Sequence, residues 1–303
     1  MNLPILALNF TLAILLAPLI DGMRRKITAR LQNRIGPPIL QSWFDLMKLI
    51  KKEVIVPEKT GVLFIVIPTF SLLLSFFMFA TISTVTTQSP LNEGGIVFIE
   101  LAVLSAFLFA FAGSISRNPY GVIGGSREVI LSILVEPSII VSLLSLILFK
   151  GSTTFDDSSR YFGSAALLSV AALAYILSLL AENGKIPFDL AEAESELSGG
   201  ALIEFSGPLL AILKLSIWVR SLALFSILKF YLIALIPANF LSQGFIIDVF
   251  VYFISLLFCT VIISLAESLN ARFKLLEASK FYAGVFALSL MALIITFLTY
   301  GTG

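Results

Sequence analysis

Six carboxylates crowd one short stretch of the chain, AENGKIPFDLAEAESELSGGALIEFSG at residues 181–207, which we call the acidic loop. They are Glu182, Asp189, Glu192, Glu194, Glu196 and Glu204. Two long apolar runs flank this loop, and charged groups close to hydrocarbon are costly enough to indicate a function by default. Carboxylates that are crowded and partly removed from water can bind a proton as a group and pass it on. The acidic loop is therefore predicted to be a proton- or ion-coupling site.

A simpler interpretation explains part of this loop. Pro187 ends the preceding helix at or before Ile186. Asp189 followed by Glu192 has the spacing of an N-cap and its capping-box partner. That interpretation leaves the other acids unexplained, because Glu192 and Glu196 are four apart and would repel each other on any helix.

Two further acids lie inside apolar runs. Glu136, in SILVEPS, stands deep in a predicted span just before Pro137. A carboxylate there needs a partner, a proton or a water-filled path, so we expect a functional role, with a hydrogen bond to a neighbouring helix as the structural alternative. Arg127, in GGSREV, is placed at the mouth of the same span. Glu100 lies nearer the opposite side, where its side chain can reach the surface by snorkelling.

The composition of the chain decides what kind of element must hold these residues. Hydrophobic residues make up 58% and charged residues 13% of 303 residues, and the mean hydropathy is +1.02. A soluble domain of this size could not bury so much apolar surface. We therefore predict an all-α, polytopic integral membrane protein that forms a single domain over residues 1–303.

The chain contains one cysteine, Cys259, and no histidine. An internal disulfide, a Cys-ligated iron–sulfur or nickel site, a His-ligated haem and a histidine proton relay are therefore all excluded. We expect no catalytic residue, no metal ligand and no redox centre in this chain, so any redox chemistry belongs to partner subunits.

Eight apolar runs predict eight transmembrane helices of about 20 residues each. They cover residues 3–20, 62–86, 96–116, 129–149, 164–182, 208–236, 245–266 and 281–300. The first is not a signal peptide, because its basic cluster follows the apolar run instead of preceding it. Three cations, Lys214, Arg220 and Lys229, interrupt the sixth run. Lys229 can snorkel, whereas the other two are expected to face protein or water.

The distribution of Lys and Arg predicts the orientation. The linkers on one side hold fifteen of these residues: Arg24, Arg25, Lys26, Arg30, Arg34, Lys48, Lys51, Lys52, Lys59, Arg117, Arg127, Lys185, Arg272, Lys274 and Lys280. The other side holds only Lys150 and Arg160. The positive-inside rule then places both termini outside the cell membrane and the loops at about 21–61, 117–128, 183–207 and 267–280 in the cytoplasm.

The first cytoplasmic linker contains a predicted amphipathic helix. Apolar residues recur there at three- and four-residue intervals beside Lys48, Lys51 and Lys52, namely Leu40, Trp43, Phe44, Met47 and Ile50. Such a helix is typical of the membrane interface. A helix that only packs on neighbouring spans is the alternative.

The motif ARLQNRIGPP, residues 29–38, precedes this helix. Arg30 and Arg34 are four apart, and Gly36 with Pro37 stops the helix. Two interpretations stay open, ordinary positive-inside anchoring and a docking platform for an acidic partner subunit.

Three motifs together resemble one protein family. They are ARLQNRIGPP, then GGSRE followed by LVEP, and ENGKIPFDLAEAESEL followed by EFSG. They resemble the H-type subunit, the large polytopic subunit that joins the membrane arm to the peripheral arm of respiratory complex I. The same subunit recurs in group 4 energy-converting nickel–iron hydrogenases, formate hydrogenlyases and related ferredoxin-linked complexes. The resemblance runs over essentially the whole chain.

Details of the motifs favour the hydrogenase-like branch. Asn183-Gly184-Lys185 stands where complex I subunits usually have Thr-Asn-Arg, and Phe205 stands where they usually have Tyr. The segment GPPILQSWFDLMKL also lacks the form typical of quinone-reducing enzymes. A relative that reduces sulfane sulfur would have much the same membrane subunit, so sulfane- and quinone-reducing complexes remain alternatives.

The resemblance implies a division of labour between subunits. Nickel–iron centres or iron–sulfur clusters would lie in hydrogenase-like large and small peripheral subunits. Small and antiporter-like membrane subunits would move H⁺ or Na⁺. This chain would couple the two arms through a set of acids, namely Glu136, Glu192, Glu194, Glu196, Glu204, Glu182 and Asp189. The supporting bases would be Arg127 and Lys185, and partner docking would use Arg30, Arg34, Gly36 and Pro37.

Two functions of other classes compete with this one. A stand-alone secondary transporter should show repeat symmetry or corresponding broken spans, which the sequence lacks. A passive membrane anchor needs apolar spans and basic loops, but it has no use for Glu136 or the acidic loop.

Overall fold

Long helices dominate the computed structural model, which describes residues 3–57, 61–82, 94–116, 118–155, 165–191, 194–235 and 245–300. No strand occurs in those ranges. The α-helices are α1 Leu3–Leu31, α2 Gln41–Ile50, α3 Leu63–Ala80, α4 Gly94–Ile115, α5 Pro119–Lys150, α6 Ala165–Glu182, α7 Glu194–Leu197, α8 Gly207–Leu235, α9 Phe245–Leu269 and α10 Leu275–Tyr300. A short 3₁₀ helix, Gly200–Leu202, lies between α7 and α8.

Seven of these helices are long and apolar enough to cross a membrane: α1, α3, α4, α5, α8, α9 and α10. An eighth, α6, is apolar over the shorter stretch Leu168–Glu182. The prediction of an all-α polytopic membrane protein is confirmed.

Several helices continue beyond the predicted spans. α1 runs on to Leu31, and α5 begins at Pro119 instead of near residue 129. Asn118 caps α5, because its side-chain oxygen accepts a hydrogen bond from the backbone of Tyr120 at 3.0 Å. Hydropathy marks where a helix becomes apolar, whereas capping and ion pairs decide where it begins and ends.

α8 is the central helix of the bundle and contacts α1, α2, α3, α6 and α9. Its segment Val219–Tyr231 is almost wholly buried, which fits a helix that is apolar on all sides. The peripheral helices instead expose large apolar side chains, for example Leu298 on α10. Such surfaces suit hydrocarbon or other subunits. Arg220 and Lys229, which belong to the segment Val219–Tyr231, consequently lie inside the protein. Lys229 is fully buried, so the expectation that it snorkels is wrong.

Gly124 lets the acidic loop approach α5 closely. A Cβ atom at Gly124 would lie 2.7 Å from the Cα of Gly200, which belongs to the 3₁₀ helix. Real Cβ atoms do not come so close to backbone, so a side chain there would push the two elements apart. This contact places the end of the acidic loop beside the helix that carries Glu136.

The predicted amphipathic helix is present as α2. Ser42 and Leu46 are buried against the bundle, while Phe44, Met47 and Ile50 are exposed. These apolar side chains thus point away from the rest of the chain. A helix that only packed on neighbouring spans would bury them instead. Its location at a membrane interface stays a prediction.

Candidate functional site

The acidic loop begins where α6 ends, at Glu182. The Asn183 side chain donates to the Leu179 carbonyl at 2.7 Å and satisfies one of the last carbonyls of the helix. Gly184 then turns the chain with φ of +56°, a conformation that favours glycine. The prediction that the helix ends before Pro187 is confirmed.

Contacts with the start of α10 hold the loop in place. The backbone N–H of Phe273 donates to the carbonyl of Pro187 at 3.0 Å. Phe188 is buried and packs against Phe281 and Tyr282, with ring centroids 4.9 Å and 5.5 Å away. The loop is therefore docked on the bundle and is not a free linker.

Asp189 and Glu196, two of the predicted acids, pair with arginines that lie outside the acidic loop. Arg272 Nη2 lies 2.7 Å from Asp189 Oδ2, and Arg127 Nη1 lies 2.8 Å from Glu196 Oε2. The same Arg127 nitrogen donates to the Leu190 carbonyl at 3.1 Å. Leu190 itself is not helical, so Asp189 does not cap a helix start. The helix-start interpretation of Asp189 is wrong.

Arg127 also decides the acidity of Glu196. The hydrogen bond from the guanidinium, and then its positive charge, hold the pKa of Glu196 below its usual value. Crowding of carboxylates would have acted in the opposite direction. Glu196 is thus ionised under ordinary conditions and anchors the loop to α5.

The remaining loop acids are less informative. Glu192 lies outside the described residues, and Glu194 is the first residue of α7. Glu204 lies in the turn after the 3₁₀ helix and is half-buried.

Two acids and a cation meet inside the bundle. Arg220 of α8 hydrogen-bonds through Nη2 to Oε1 of Glu182, at the end of α6. The same nitrogen lies 3.9 Å from Oε1 of Glu136 on α5. The side chains are only 12%, 6% and 16% exposed for Arg220, Glu182 and Glu136, respectively. We call these three residues the buried triad.

The buried triad combines three helices through side chains that are distant in sequence. Arg220 also reaches toward the Ala102 carbonyl of α4, at 3.5 Å. Glu136 Oε1 is buried and has no hydrogen-bond partner among the described residues. An unpaired buried carboxylate oxygen is costly and requires a proton, a water or a mobile partner. Glu136 therefore lies inside the bundle beside a cation, and its functional role stays a prediction.

Arg220 is the residue that reasoning from the sequence missed as part of the site. The signal was present, because an arginine stood in the middle of a long apolar run. Such a cation is expected to face protein or water, and Arg220 faces protein. Its two carboxylate partners could not be assigned, since they lie on other helices.

A cavity of about 50 Å³ with both polar and apolar walls lies between the acidic loop and two members of the buried triad, Glu182 and Arg220. Such a volume has room for a few water molecules. Its lining includes Ser71, Ser75, Ser105, Ser216, Glu128, Glu182, Asn183, Lys185 and Arg220. A second, apolar cavity of about 10 Å³ borders Glu136, Glu182 and Arg220. Glu182 and Arg220 thus border both cavities.

A larger cavity of about 320 Å³ opens between α1, α8 and the acidic loop. Its charged lining comprises Asp21, Arg24, Arg25, Lys185 and Lys214. Trp218 and other apolar residues of α8 and the loop form the rest of the wall. Lys185, predicted as a supporting base, borders both this cavity and the one at the triad.

A separate ion-pair network surrounds Asp21, which is 7% exposed. Its carboxylate lies 3.0 Å from Arg24 and 2.8 Å from Arg25, and it accepts a hydrogen bond from Ser42 at 2.8 Å. Arg24 continues to Glu267 of α9 at 2.5 Å. This network ties α1, α2 and α9 together, so its role is structural support for the cavity.

The predicted docking residues lie on the surface. Arg30 and Arg34 are exposed, and Gly36 and Pro37 are half-buried in the turn after α1. Gly36 has φ of +71°, and a Cβ there would lie 2.6 Å from Ala29 Cβ. The glycine is thus required by the turn that follows α1.

The described residues contain no group of three or more His, Cys, Asp or Glu side chains that could hold a metal ion. Cys259 is buried and unpaired.

The profile of the NADH dehydrogenase family matches residues 3–297 of this chain. The chain belongs to that family. Hydrogenase-4 component C of Escherichia coli (strain K12) is 35% identical over 266 residues, which is 86% of this chain and 84% of that protein. Formate hydrogenlyase subunit 4 of the same organism is 32% identical over 270 residues, or 86% and 87% of the two chains.

Other members of the NADH dehydrogenase family are also similar. NADH-ubiquinone oxidoreductase chain 1 of Sminthopsis macroura is 32% identical over 219 residues, 69% of this chain and 68% of that protein. A solved structure of the membrane-bound sulfane sulfur reductase, an archaeal respiratory membrane complex, contains a chain with a TM-score of 0.80. It covers 96% of this chain and 98% of its own length at 23% identity, a likeness of fold.

These relatives confirm the resemblance seen in the motifs. The NADH dehydrogenase family member described here is a multi-pass membrane subunit of a complex I-like complex. Its relatives belong to multi-subunit assemblies, so it too has partner subunits in the membrane.

Proposed function

We propose that this subunit couples electron transfer in a peripheral redox arm to H⁺ or Na⁺ translocation in the membrane arm of a hydrogenase-type complex. The observation that carries this proposal is the buried triad, in which Glu136 and Glu182 share Arg220 next to a cavity that reaches the acidic loop. A passive anchor has no use for such a costly arrangement.

The proposed route runs from the acidic loop to Glu136. A change of charge or position in a docked redox subunit acts on the loop through Asp189, Glu192, Glu194, Glu196 and Glu204. The loop leads directly into Glu182 at the end of α6, and Glu182 contacts Arg220. A proton then reaches Glu136 and passes to antiporter-like subunits.

Replacement of Glu136 tests this route in the intact complex. We expect Glu136→Gln to abolish most ion transport by reconstituted complex while electron transfer from reduced ferredoxin continues. Glutamine keeps the size and one acceptor oxygen, but its NH2 group replaces the second oxygen and can neither carry the charge nor bind the proton. Glu100→Gln is the matched control, because Glu100 is an exposed carboxylate in another span. Normal ion transport in an assembled Glu136→Gln complex would overturn the proposal.

The hydrogenase branch is proposed from the motifs and from the two Escherichia coli relatives. The expected partners are hydrogenase-like large and small iron–sulfur subunits, which would carry the nickel–iron centre and the clusters. Tagging the subunit, extracting the complex in mild detergent and measuring its metals tests this assignment. Nickel supports it, whereas iron without nickel favours a sulfane- or quinone-reducing complex.

The orientation with both termini outside and the long loops in the cytoplasm is part of the proposal. Fifteen basic residues against two support it. Arg30 and Arg34 are exposed at the end of α1 and in the linker that follows it. They are proposed to dock an acidic surface of a peripheral subunit. Labelling of cysteines introduced at positions 30 and 302 from one side of the cell membrane distinguishes the two faces. Labelling of position 30 from outside the cell would show that the orientation is the opposite of the proposed one.

A further inference from the structure

One guanidinium nitrogen lies between two carboxylate oxygens in the buried triad. Arg220 Nη2 is hydrogen-bonded to Glu182 Oε1, and Glu136 Oε1 stands 3.9 Å away from the same nitrogen. Neither Glu136 Oε1 nor Arg220 Nε has a hydrogen-bond partner within the described ranges. A small rotation of the guanidinium would therefore exchange one carboxylate partner for the other.

The charges of the buried triad link this exchange of partners to the position of a proton. If both glutamates are ionised, one negative charge remains without a counter-ion in a medium of low dielectric constant. A single bound proton makes the triad neutral. The carboxylate paired with the guanidinium is stabilised in its ionised form, so the proton resides on the other one.

We propose that Arg220 is a positioning residue that assigns one shared proton to either Glu136 or Glu182. While the guanidinium pairs with Glu182, as in this structure, the proton is held by Glu136. When it turns to Glu136, the proton is held by Glu182. This inference rests on the proposed coupling function and deepens it, because it names the side chain that directs the proton between the loop and the membrane interior.

The place of Glu182 shows how the loop acts on this switch. Glu182 is the last residue of α6 and the first acid of the acidic loop, so a shift of the loop moves it directly. Glu136 lies in the middle of α5 and is held by the bundle. Displacement of Glu182 away from Arg220 therefore releases the guanidinium toward Glu136. A small cavity of about 10 Å³ borders all three side chains.

Infrared difference spectroscopy on the purified complex tests the assignment. Spectra of the reduced and oxidised complex are compared in the region of protonated carboxylic acids. We expect one carboxyl band to be lost and another to be gained on reduction in the wild type. Glu136→Gln should remove one band and Glu182→Gln the other, which identifies both.

Substitution of Arg220 then separates positioning from mere structure. Arg220→Met removes the charge, and we expect the exchange of bands to disappear. Arg220→Lys keeps a positive charge, and we expect the exchange to return with altered band positions. Lys214→Met removes a charge from the same helix outside the buried triad and should leave the exchange as in the wild type.

Several outcomes would overturn the assignment. These are a persistent exchange in assembled Arg220→Met complex, its loss in Arg220→Lys as well, or no exchange in the wild type. If both Arg220 variants fail to assemble, the guanidinium stretching bands in the same wild-type difference spectrum test the change of partner. Guanidinium bands that stay unchanged on reduction would then overturn the assignment.

The experiments test the coupling function and the role of Arg220 separately. If Glu136→Gln uncouples ion transport but the wild-type bands do not exchange, the proposed function stands and the role of Arg220 falls. If the bands exchange but Glu136→Gln remains coupled, the proposed function falls instead.

Discussion

Arg127 holds Glu196 at 2.8 Å and thereby joins the acidic loop to α5, the helix that also carries Glu136. The pair connects residues 69 positions apart. It is partly open to solvent, with the Glu196 side chain 54% exposed, so its energetic contribution to folding is small. Its importance is geometric, because it fixes the loop against the helix that leads into the membrane.

Neutralising the loop acids should uncouple the complex without unfolding it. We expect the double variant Glu192→Gln/Glu196→Gln to express and assemble normally, because the exposed Arg127–Glu196 pair contributes little to stability. Ion transport per electron transferred should fall, since the ion pair that joins the loop to α5 is lost. Proton or sodium uptake by reconstituted vesicles, measured together with the rate of electron transfer, checks this. Wild-type coupling in the double variant would refute the role of the loop.

Acid should loosen α7 from α5. The pKa of Glu196 is lowered in the folded protein by Arg127, so the pair stabilises the docked loop above the usual glutamate pKa of about 4.3. That stabilisation is lost as the pH falls below this value and through the lower folded pKa. Amide hydrogen exchange of residues 194–199, corrected for its intrinsic pH dependence, should therefore rise in acid. In Arg127→Gln the same amides should exchange fast already at neutral pH. Equal pH profiles in the wild type and in Arg127→Gln would contradict the prediction.

Loss of the Asp21 carboxylate should be destabilising. Asp21 is buried and is shared by Arg24 and Arg25, so Asp21→Asn leaves Arg24 with Glu267 and Arg25 with Asp45 as their remaining counter-ions. Because each arginine keeps one carboxylate, we expect a cost of about 1–3 kcal/mol, that of an unsatisfied buried partner. Unfolding of the purified subunit in detergent measures this. Glu277→Gln is the control, because Glu277 is an exposed acid at the start of α10, and similar losses in both variants would argue against a special role for Asp21.

A methyl group at Gly124 should displace the acidic loop. Its Cβ would lie 2.7 Å from Gly200 Cα, and overpacking of this kind costs about 1–3 kcal/mol. Gly284→Ala is a matched control on α10, since a Cβ there meets nothing within 4 Å. Both positions are helical, so alanine should favour helix formation equally. We expect lower thermal stability and faster loop exchange only for Gly124→Ala, and comparable behaviour of the two variants would exclude the close approach.

The sequence by itself determined the class of protein and the identity of its most informative acids. Membrane spans follow from local hydropathy, because the bilayer requires about 20 apolar residues in succession. Glu136 was identifiable for the same reason, since a carboxylate within such a run cannot be an ordinary surface residue. The motifs around Pro187 and Gly36 were sufficient for the family, and the profile match confirmed it.

Only the tertiary structure decided which charges meet. Arg220 pairs with Glu182 across 38 positions and approaches Glu136 on a third helix. Asp189, which looked like a helix cap, pairs with Arg272 across 83 positions. Local patterns report spacing along one helix, whereas the partner of a buried charge depends on how helices pack and which faces they turn inward. Because the cost of an unpaired buried charge is met by contacts between helices, the chemistry of this site emerges only when the bundle is assembled.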